Sequence, residues 1–248
     1  MCTLTFVSRD NSYYLAMNRD ERVARRVAKL PTGVNLGDIS AVYPRDVEGG
    51  TWIAANDRGI TLALLNWNDA PHSNARKIRS RGELIPALIR LGSHRDVDTA
   101  FKQLDLNGIL PFRLVGVFPL EQEISEWRWN LERLDSQLHE WETRQWFSSS
   151  LSDEQASLHR GEACRSAWRE KDAGSLSWLR KLHASHDAQR GPFSICVHRE
   201  NVETLSYTEF TCTSTQVRCN YFPGNPCTMT APKSCAELRR KAGLMAPE

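Results

Sequence analysis

No stretch of this chain approaches the roughly 18 consecutive apolar residues that a membrane-spanning helix requires. The opening apolar run is broken by Ser8-Arg9-Asp10-Asn11 and is too short for a secretory signal. Neither a membrane span nor export is therefore expected, and the protein is read as cytoplasmic with reduced thiols. An excess of charge of one sign is also lacking. The formal net charge is +2 and no long basic run occurs, so the attraction that drives binding to phosphate backbones is weak. Nucleic acid is not an expected partner. No Cys-x-x-Cys pair exists among the seven cysteines. Cys212, Cys219, Cys227 and Cys235 recur every seven or eight residues, too wide for a zinc knuckle. They are read as buried or half-buried free thiols, and no metal is assigned. Repeats, low-complexity segments and linkers are missing as well, which favours one domain spanning 1–248.

What is present is an ordinary globular balance, 40% hydrophobic and 25% charged, which argues against disorder. Cys2 to Val7 reads as a strand, Arg9-Asp10-Asn11-Ser12 as a turn and Tyr13 to Met17 as the return strand. A second hairpin joins Gly49-Gly50-Thr51-Trp52-Ile53-Ala54-Ala55 to Gly59 through Trp67 across Asn56-Asp57-Arg58. Ser80-Arg81-Gly82-Glu83 carries a capping-box pattern and predicts a helix to about Leu91. A second helix is expected over Arg95 to Leu104. Phe112 to Phe118, Glu123 to Trp129 and the Leu138 region read as strands. Ser152-Asp153-Glu154 opens a helix to about Glu170, and Ser175 to His183 forms another. Phe193 to His198, Glu203 to Glu209 and Val217 to Tyr221 predict a three-strand meander, followed by a short helix near Ser234 to Lys241. Hairpins dominate and no β-α-β alternation occurs, so the class is α+β, antiparallel sheets with helices on their outer faces.

The chain begins Met-Cys-Thr-Leu-Thr-Phe. Methionine aminopeptidase removes an initiator Met when a small residue follows, and Cys2 qualifies. Loss of Met1 leaves a thiol and a free α-amine on one residue, a nucleophile with its own base, since an α-amine titrates near neutral pH. The run Asn18-Arg19-Asp20-Glu21 ends the return strand, and the hairpin folds it back towards Cys2. A guanidinium beside a thiol lowers its pKa, and a carboxylate can hold the α-amine.

Met-Cys-Thr at the start, Asn-Arg-Asp-Glu at 18–21, Gly-Gly-Thr-Trp at 49–52, Leu-Asn-Trp at 65–67 and Ser-Arg-Gly-Glu at 80–83 resemble the NRDE family, which is typified by transport and Golgi organisation protein 2. The resemblance is strong over residues 1–90 and looser afterwards, where Trp146 to Ser150 and Arg190 to Ser194 are similar to a bacterial branch. The family is in turn similar to the N-terminal nucleophile hydrolases of the cholylglycine hydrolase and penicillin V acylase kind. That likeness implies a four-layer αββα sandwich, two antiparallel sheets between helical layers.

It also implies a catalytic cysteine freed by processing, an arginine and an aspartate just after the first hairpin, and oxyanion-hole asparagines. Cys2 matches the nucleophile. Those hydrolases carry Arg-Asn-x-Asp where this chain has Asn18-Arg19-Asp20-Glu21. Aligned without a gap, Asn18 and Glu21 take the arginine's and the acid's places; with a one-residue shift, Arg19 and Asp20 do. Residue type favours Arg19 and Asp20. Asn66 falls where an oxyanion-hole asparagine follows a similar apolar strand. Ser149 stands where many relatives carry asparagine, a departure that weakens the case for an efficient amidase.

Trp52 and Trp67 flank the expected site and could line an acyl pocket. His183, His186 and His198 read as surface or satisfied residues before bases or haem ligands. Arg22, Arg25 and Arg26 could hold an anionic tail. Two functions follow as expectations. One is an N-terminal cysteine hydrolase, an amidase or thioesterase acting on a small acylated substrate and needing no cofactor. The other, implied by the resemblance alone, is a carrier of haem or a lipid-type hydrophobic ligand in haem homeostasis. Oligomeric state is not legible.

Overall fold

Alternating apolar residues over Cys2–Arg9 (β1) and Ser12–Arg22 (β2) pair in antiparallel register, with Cys2 opposite Arg19 and Arg9 opposite Ser12. The computed structural model describes residues 2–10, 12–25, 27–70, 79–186 and 190–241. Met1, Asn11 and Arg26 lie outside the described residues. Two strands that sequence reading does not anticipate follow, Lys29–Asn35 (β3) and Ser40–Arg45 (β4). The second expected hairpin is Ile53–Asn56 (β5) and Thr61–Asn66 (β6). Its turn needs Gly59 at φ +83°, where a Cβ would also meet the Cys212 sulfur at 2.9 Å. Residues 49–52, expected in the strand, are loop, because Asp46 Oδ1 accepts from the amides of Glu48 and Gly50 at 3.0 and 2.9 Å and folds the backbone away from the sheet.

The helix expected from Ser80 to Leu91 is shorter and broken. Arg81–Glu83 is a 3-10 turn and only Leu84–Leu88 (α1) is α-helical. Ser80 caps by accepting from the Gly82 amide, while Glu83 is ion-paired to Arg79 instead of closing a capping box. His94–Gln103 (α2) follows, then strands Phe112–Phe118 (β7), Glu123–Trp129 (β8), Leu134–His139 (β9) and Arg144–Ser148 (β10). Asp153–Ala167 (α3) and Leu176–His183 (α4) come next. Ser93, Ser152 and Ser175 each start one of the last three helices by accepting an amide hydrogen bond.

The chain ends in Val202–Cys212 (β11), Gln216–Pro223 (β12) and Ser234–Arg239 (β13). Two expectations fail here. Phe193 to His198 forms no strand beyond one bridge from His198 to Glu203, because it is held to neighbouring loops, for example Cys196 N to Ser185 O at 2.9 Å. Ser234 to Lys241, expected as a helix, is the edge strand β13. Its helix-forming residues yield to period-two burial, with Ala236 and Leu238 turned onto the core.

One sheet has the order β10-β1-β2-β11-β12-β13 and the other β3-β4-β5-β6-β7-β8-β9, all neighbours antiparallel. Their inner faces pack together through Leu4, Phe6, Leu15, Val42, Ile53, Ala63 and Val115. The outer face of the second sheet buries Leu62, Leu114 and Trp127 against Ile85 of α1 and against Val97 and Phe101 of α2. The outer face of the first buries Val7, Ala16 and Tyr207 against Ala156, Trp178 and Leu182 of α3 and α4. The result is the expected four-layer αββα sandwich. Among the described residues no helix is long and apolar enough to cross a membrane.

Candidate active site

Two antiparallel registers place Cys2. It stands opposite Arg19 on one side and opposite Ser148 on the other, at the end of β1, with only 6% of its surface exposed. A cleft of about 360 Å³ opens over it. Alternation along β2 then splits the charged run. Arg19 projects between the sheets, its guanidinium 4.3 Å from the centre of the Trp52 ring, and its Nη2 lies 3.9 Å from Glu21. Asp20 turns the other way and is buried. Its Oδ1 accepts from Thr204 Oγ1 at 2.7 Å and its Oδ2 lies 3.6 Å from Arg160 Nη1. A bulge in β11 between Thr204 and Ser206, beside Arg19 and Asp20, brings the threonine to the carboxylate.

Burial dominates the ionisation of the pair. It pushes the Cys2 thiol up, and Asp20 adds to the rise; Arg19 and a hydrogen bond from the Asp20 amide pull the other way without cancelling it. The expected lowering by Arg19 is therefore real but outweighed. Burial likewise raises Asp20 from its ordinary value, against the opposing pull of Arg160 and the Thr204 hydroxyl. A neutral thiol at rest needs a base nearby before it can attack.

Two distant motifs form the far wall by backbone-to-backbone packing. The Thr51 amide donates to the Gly82 carbonyl at 3.0 Å, and a Cβ on Gly50 would stand 3.2 Å from Gly82 Cα. A Cβ on Gly82 would in turn stand 3.3 Å from Gly50 Cα, so a side chain at either point would push the two backbones apart. It sets Trp52 and Arg81 into the same cleft. Arg81 donates to the Pro111 carbonyl at 3.0 Å, and no carboxylate lies within ion-pair distance of it among the described residues. Arg25 meets Glu21 at 3.6 Å and Asp46 at 3.5 Å, and Arg79 is held by Glu83 and Asp105. Asn66, at the end of β6, is half-buried and on the cleft wall.

The structure thus brings together Cys2, Arg19, Asp20, Glu21, Trp52 and Asn66. It does not bring Asn18, Trp67 or Ser149 to the cleft. Asn18 lies on the outer face of β2, where its Nδ2 donates to the carbonyls of His183 and Ile195, both at 2.9 Å. Trp67 is half-buried beyond the strand end, its amide on Pro111. The Ser149 amide is taken by Asp153 Oδ1 at 2.6 Å and its hydroxyl accepts from Leu151 N.

Sequence reading misses Arg160. Fully buried on α3, its Nη1 donates to Thr3 Oγ1 at 2.9 Å and to the carbonyls of Cys2 at 3.3 Å and Ser148 at 3.4 Å. Its only sequence signal is an arginine in line with the small buried residues Ala156, Ala163 and Cys164 on one face of α3.

Architecture and site geometry define a four-layer αββα sandwich with a cysteine at the end of its first strand, on the wall of a cleft. The fold is similar to that of the conjugated bile acid hydrolase from Clostridium perfringens in a cysteine-to-alanine mutant, with a TM-score of 0.56 at 10% identity, over 98% of this chain and 97% of that one. Penicillin V acylase from Agrobacterium tumefaciens is similar with a TM-score of 0.52 at 11% identity, over 96% of this chain and 90% of that one. No curated protein matches in sequence. The chain belongs to the Transport and Golgi organisation 2 family, whose family model matches residues 1–125.

Proposed function

We propose that this protein is an N-terminal cysteine hydrolase acting on the amide or thioester of a small acid that carries a negative charge. The observation that carries the reading is that Cys2 lines a cleft together with Arg19, Asp20 and Asn66. In the register of the first hairpin, Asp20 stands beyond the Cys2–Arg19 pair, on the side from which the chain enters Cys2. Removal of Met1 leaves the α-amine on that side, within the influence of the Asp20 carboxylate. The amine takes the thiol proton as the sulfur attacks the carbonyl, then delivers it to the leaving amine or thiol. Asn66 and neighbouring backbone amides hold the tetrahedral oxyanion, and water releases the acyl-cysteine. Hydrolase and acylase names among the structural neighbours support the same class.

The wall chemistry favours this over a haem or lipid carrier. Four arginines and four carboxylates line the cleft, which suits a polar substrate better than an apolar ligand. The test is the intact mass of natively expressed protein, followed by incubation with a panel of acyl amides and thioesters. Loss of Met1 and a covalent acyl adduct on Cys2, absent in Cys2→Ala, are expected. Retention of Met1, or full activity in Cys2→Ala, overturns the proposal.

A further inference from the structure

Outside the cleft, the chain gathers four side chains that sequence spacing does not connect. His186 follows α4, Cys196 and His198 lie in the segment that leads to β11, and Cys227 sits in the 3-10 turn after β12. One ligand atom from each lies within 4.8 Å of all the others. His198 Nε2 is 3.0 Å from His186 Nε2 and 3.5 Å from both the Cys196 and Cys227 sulfurs. A tetrahedral zinc ion with bonds of about 2.3 Å to sulfur and roughly 2.0–2.1 Å to nitrogen sets its ligand atoms about 3.3 Å apart for N···N and about 3.5–3.6 Å for S···N. The three separations from His198 are close to those edges, and the remaining pairs lie within 4.8 Å. Cys196 is buried and the other three are half-buried, so the ion would be largely shielded from water.

The geometry points to a structural zinc site formed by His186, Cys196, His198 and Cys227. Two thiolates and two imidazoles suit zinc in preference to harder cations, and four protein ligands leave no open position for a catalytic water. Both thiols bind as thiolates and give their protons to solvent. With Nε2 of His198 on the metal, its proton resides on Nδ1; Glu203 Oε1 lies 4.0 Å from it, too far for a hydrogen bond as it stands but on the side from which a carboxylate can take that proton's bond. The exposed Arg190, which now donates to that Nδ1 at 3.0 Å, would have to move aside.

The site has a structural consequence. Val197, between two of the ligands, donates its amide to Thr204 Oγ1 at 2.8 Å, and that hydroxyl donates to Asp20. Ile195 accepts from Asn18. A metal here would clamp the loop that holds β2 from behind. The metal site requires no chemistry at Cys2.

The experiment is elemental analysis of untagged full-length protein purified under reducing conditions, followed by removal of the metal and titration with cobalt(II). About one zinc per chain is expected, together with the thiolate charge-transfer and tetrahedral ligand-field absorption of cobalt in the apo protein. Cys227→Ser should lose the zinc, whereas Cys235→Ser, an exposed thiol outside the cluster, should keep it. Should Cys227→Ser fail to fold, the wild-type cobalt spectrum still decides. Wild type without zinc and without thiolate–cobalt bands overturns the assignment, as does a Cys196–Cys227 disulfide in protein alkylated before any reductant is added.

Discussion

Arg160 reaches across 158 positions of sequence to donate to the Cys2 carbonyl, and the same nitrogen stands 3.6 Å from the Asp20 carboxylate. Both charges are fully buried, so each depends on the other for compensation. Removing one partner of such a pair costs roughly 3–5 kcal/mol, because a charge is left in a low-dielectric interior. Arg160→Leu is therefore expected to lower unfolding stability by about that amount in urea titration. Arg160→Leu combined with Asp20→Asn should recover a large part of it. Equal losses in the single and double variants would show that Arg160 acts through packing alone.

Arg19 and Asp20 are adjacent but act on Cys2 with opposite sign. Burial is the main reason the thiol is raised, and beyond it Asp20 raises the pKa while Arg19 lowers it. Arg19→Met should slow alkylation of Cys2 by iodoacetamide several-fold at fixed pH, and Asp20→Asn should quicken it. Following each variant across pH gives the apparent thiol pKa directly. Shifts in the same direction for both would contradict the placement of the two side chains around the sulfur.

Much of this arrangement is readable without coordinates wherever it depends on neighbours in sequence. Cys2 and Arg19 meet because one short turn joins β1 to β2, and a hairpin's register follows from its turn. Alternation predicts that Asp20 and Glu21 face opposite ways, but not which face the core claims. That choice depends on Thr204 and Arg160, brought in from β11 and α3. Asn18 shows the same limit. It belongs to the family's signature run, yet it ties β2 to the outer loop, with its Oδ1 3.1 Å from His183 Nδ1. Ser149 stands in sequence where an oxyanion donor is expected, whereas Asp153, which also accepts from the Asn68 amide at 2.8 Å, takes its N–H. β13 is not legible because its local composition favours a helix, and pairing with β12 together with the packing of Ala236 and Leu238 on the core overrides it.

His183 contributes an acid sensitivity separate from the site. It is fully buried between Thr5 and Asn18, and burial pushes its imidazole down to about 3. In the unfolded chain the ordinary value is about 6.5. Between these two values the unfolded state binds a proton that the folded state refuses, so stability falls on acidification from about pH 6.5 towards pH 3, by up to roughly 4–5 kcal/mol. His183→Gln should flatten the stability–pH curve between about pH 7 and pH 5, where wild type is expected to lose roughly 2 kcal/mol. Parallel curves for the two proteins would place the acid sensitivity elsewhere.

Arg81 gives the clearest handle on substrate choice. Of the cleft arginines, Arg19, Arg25 and Arg79 each have a carboxylate within 4.0 Å, while Arg81 has a carbonyl. Burial lowers its pKa, with Cys2 and Glu21 pulling the other way, but a guanidinium remains charged at any working pH. A partly buried cation facing a cleft is best compensated by a ligand anion, and its planar fork suits a carboxylate. If the hydrolase reading holds, Arg81→Ala should raise KM for acyl substrates bearing a carboxylate by about ten- to a hundredfold, the equivalent of roughly 1.4–2.8 kcal/mol, with a much smaller change in kcat. Arg81→Lys should recover only part of the loss, since an ammonium keeps the charge without the fork. An uncharged analogue of the same substrate should be nearly indifferent to both changes. If KM rises equally for the charged and uncharged substrates, Arg81 shapes the wall through its bond to Pro111 and selects no anion.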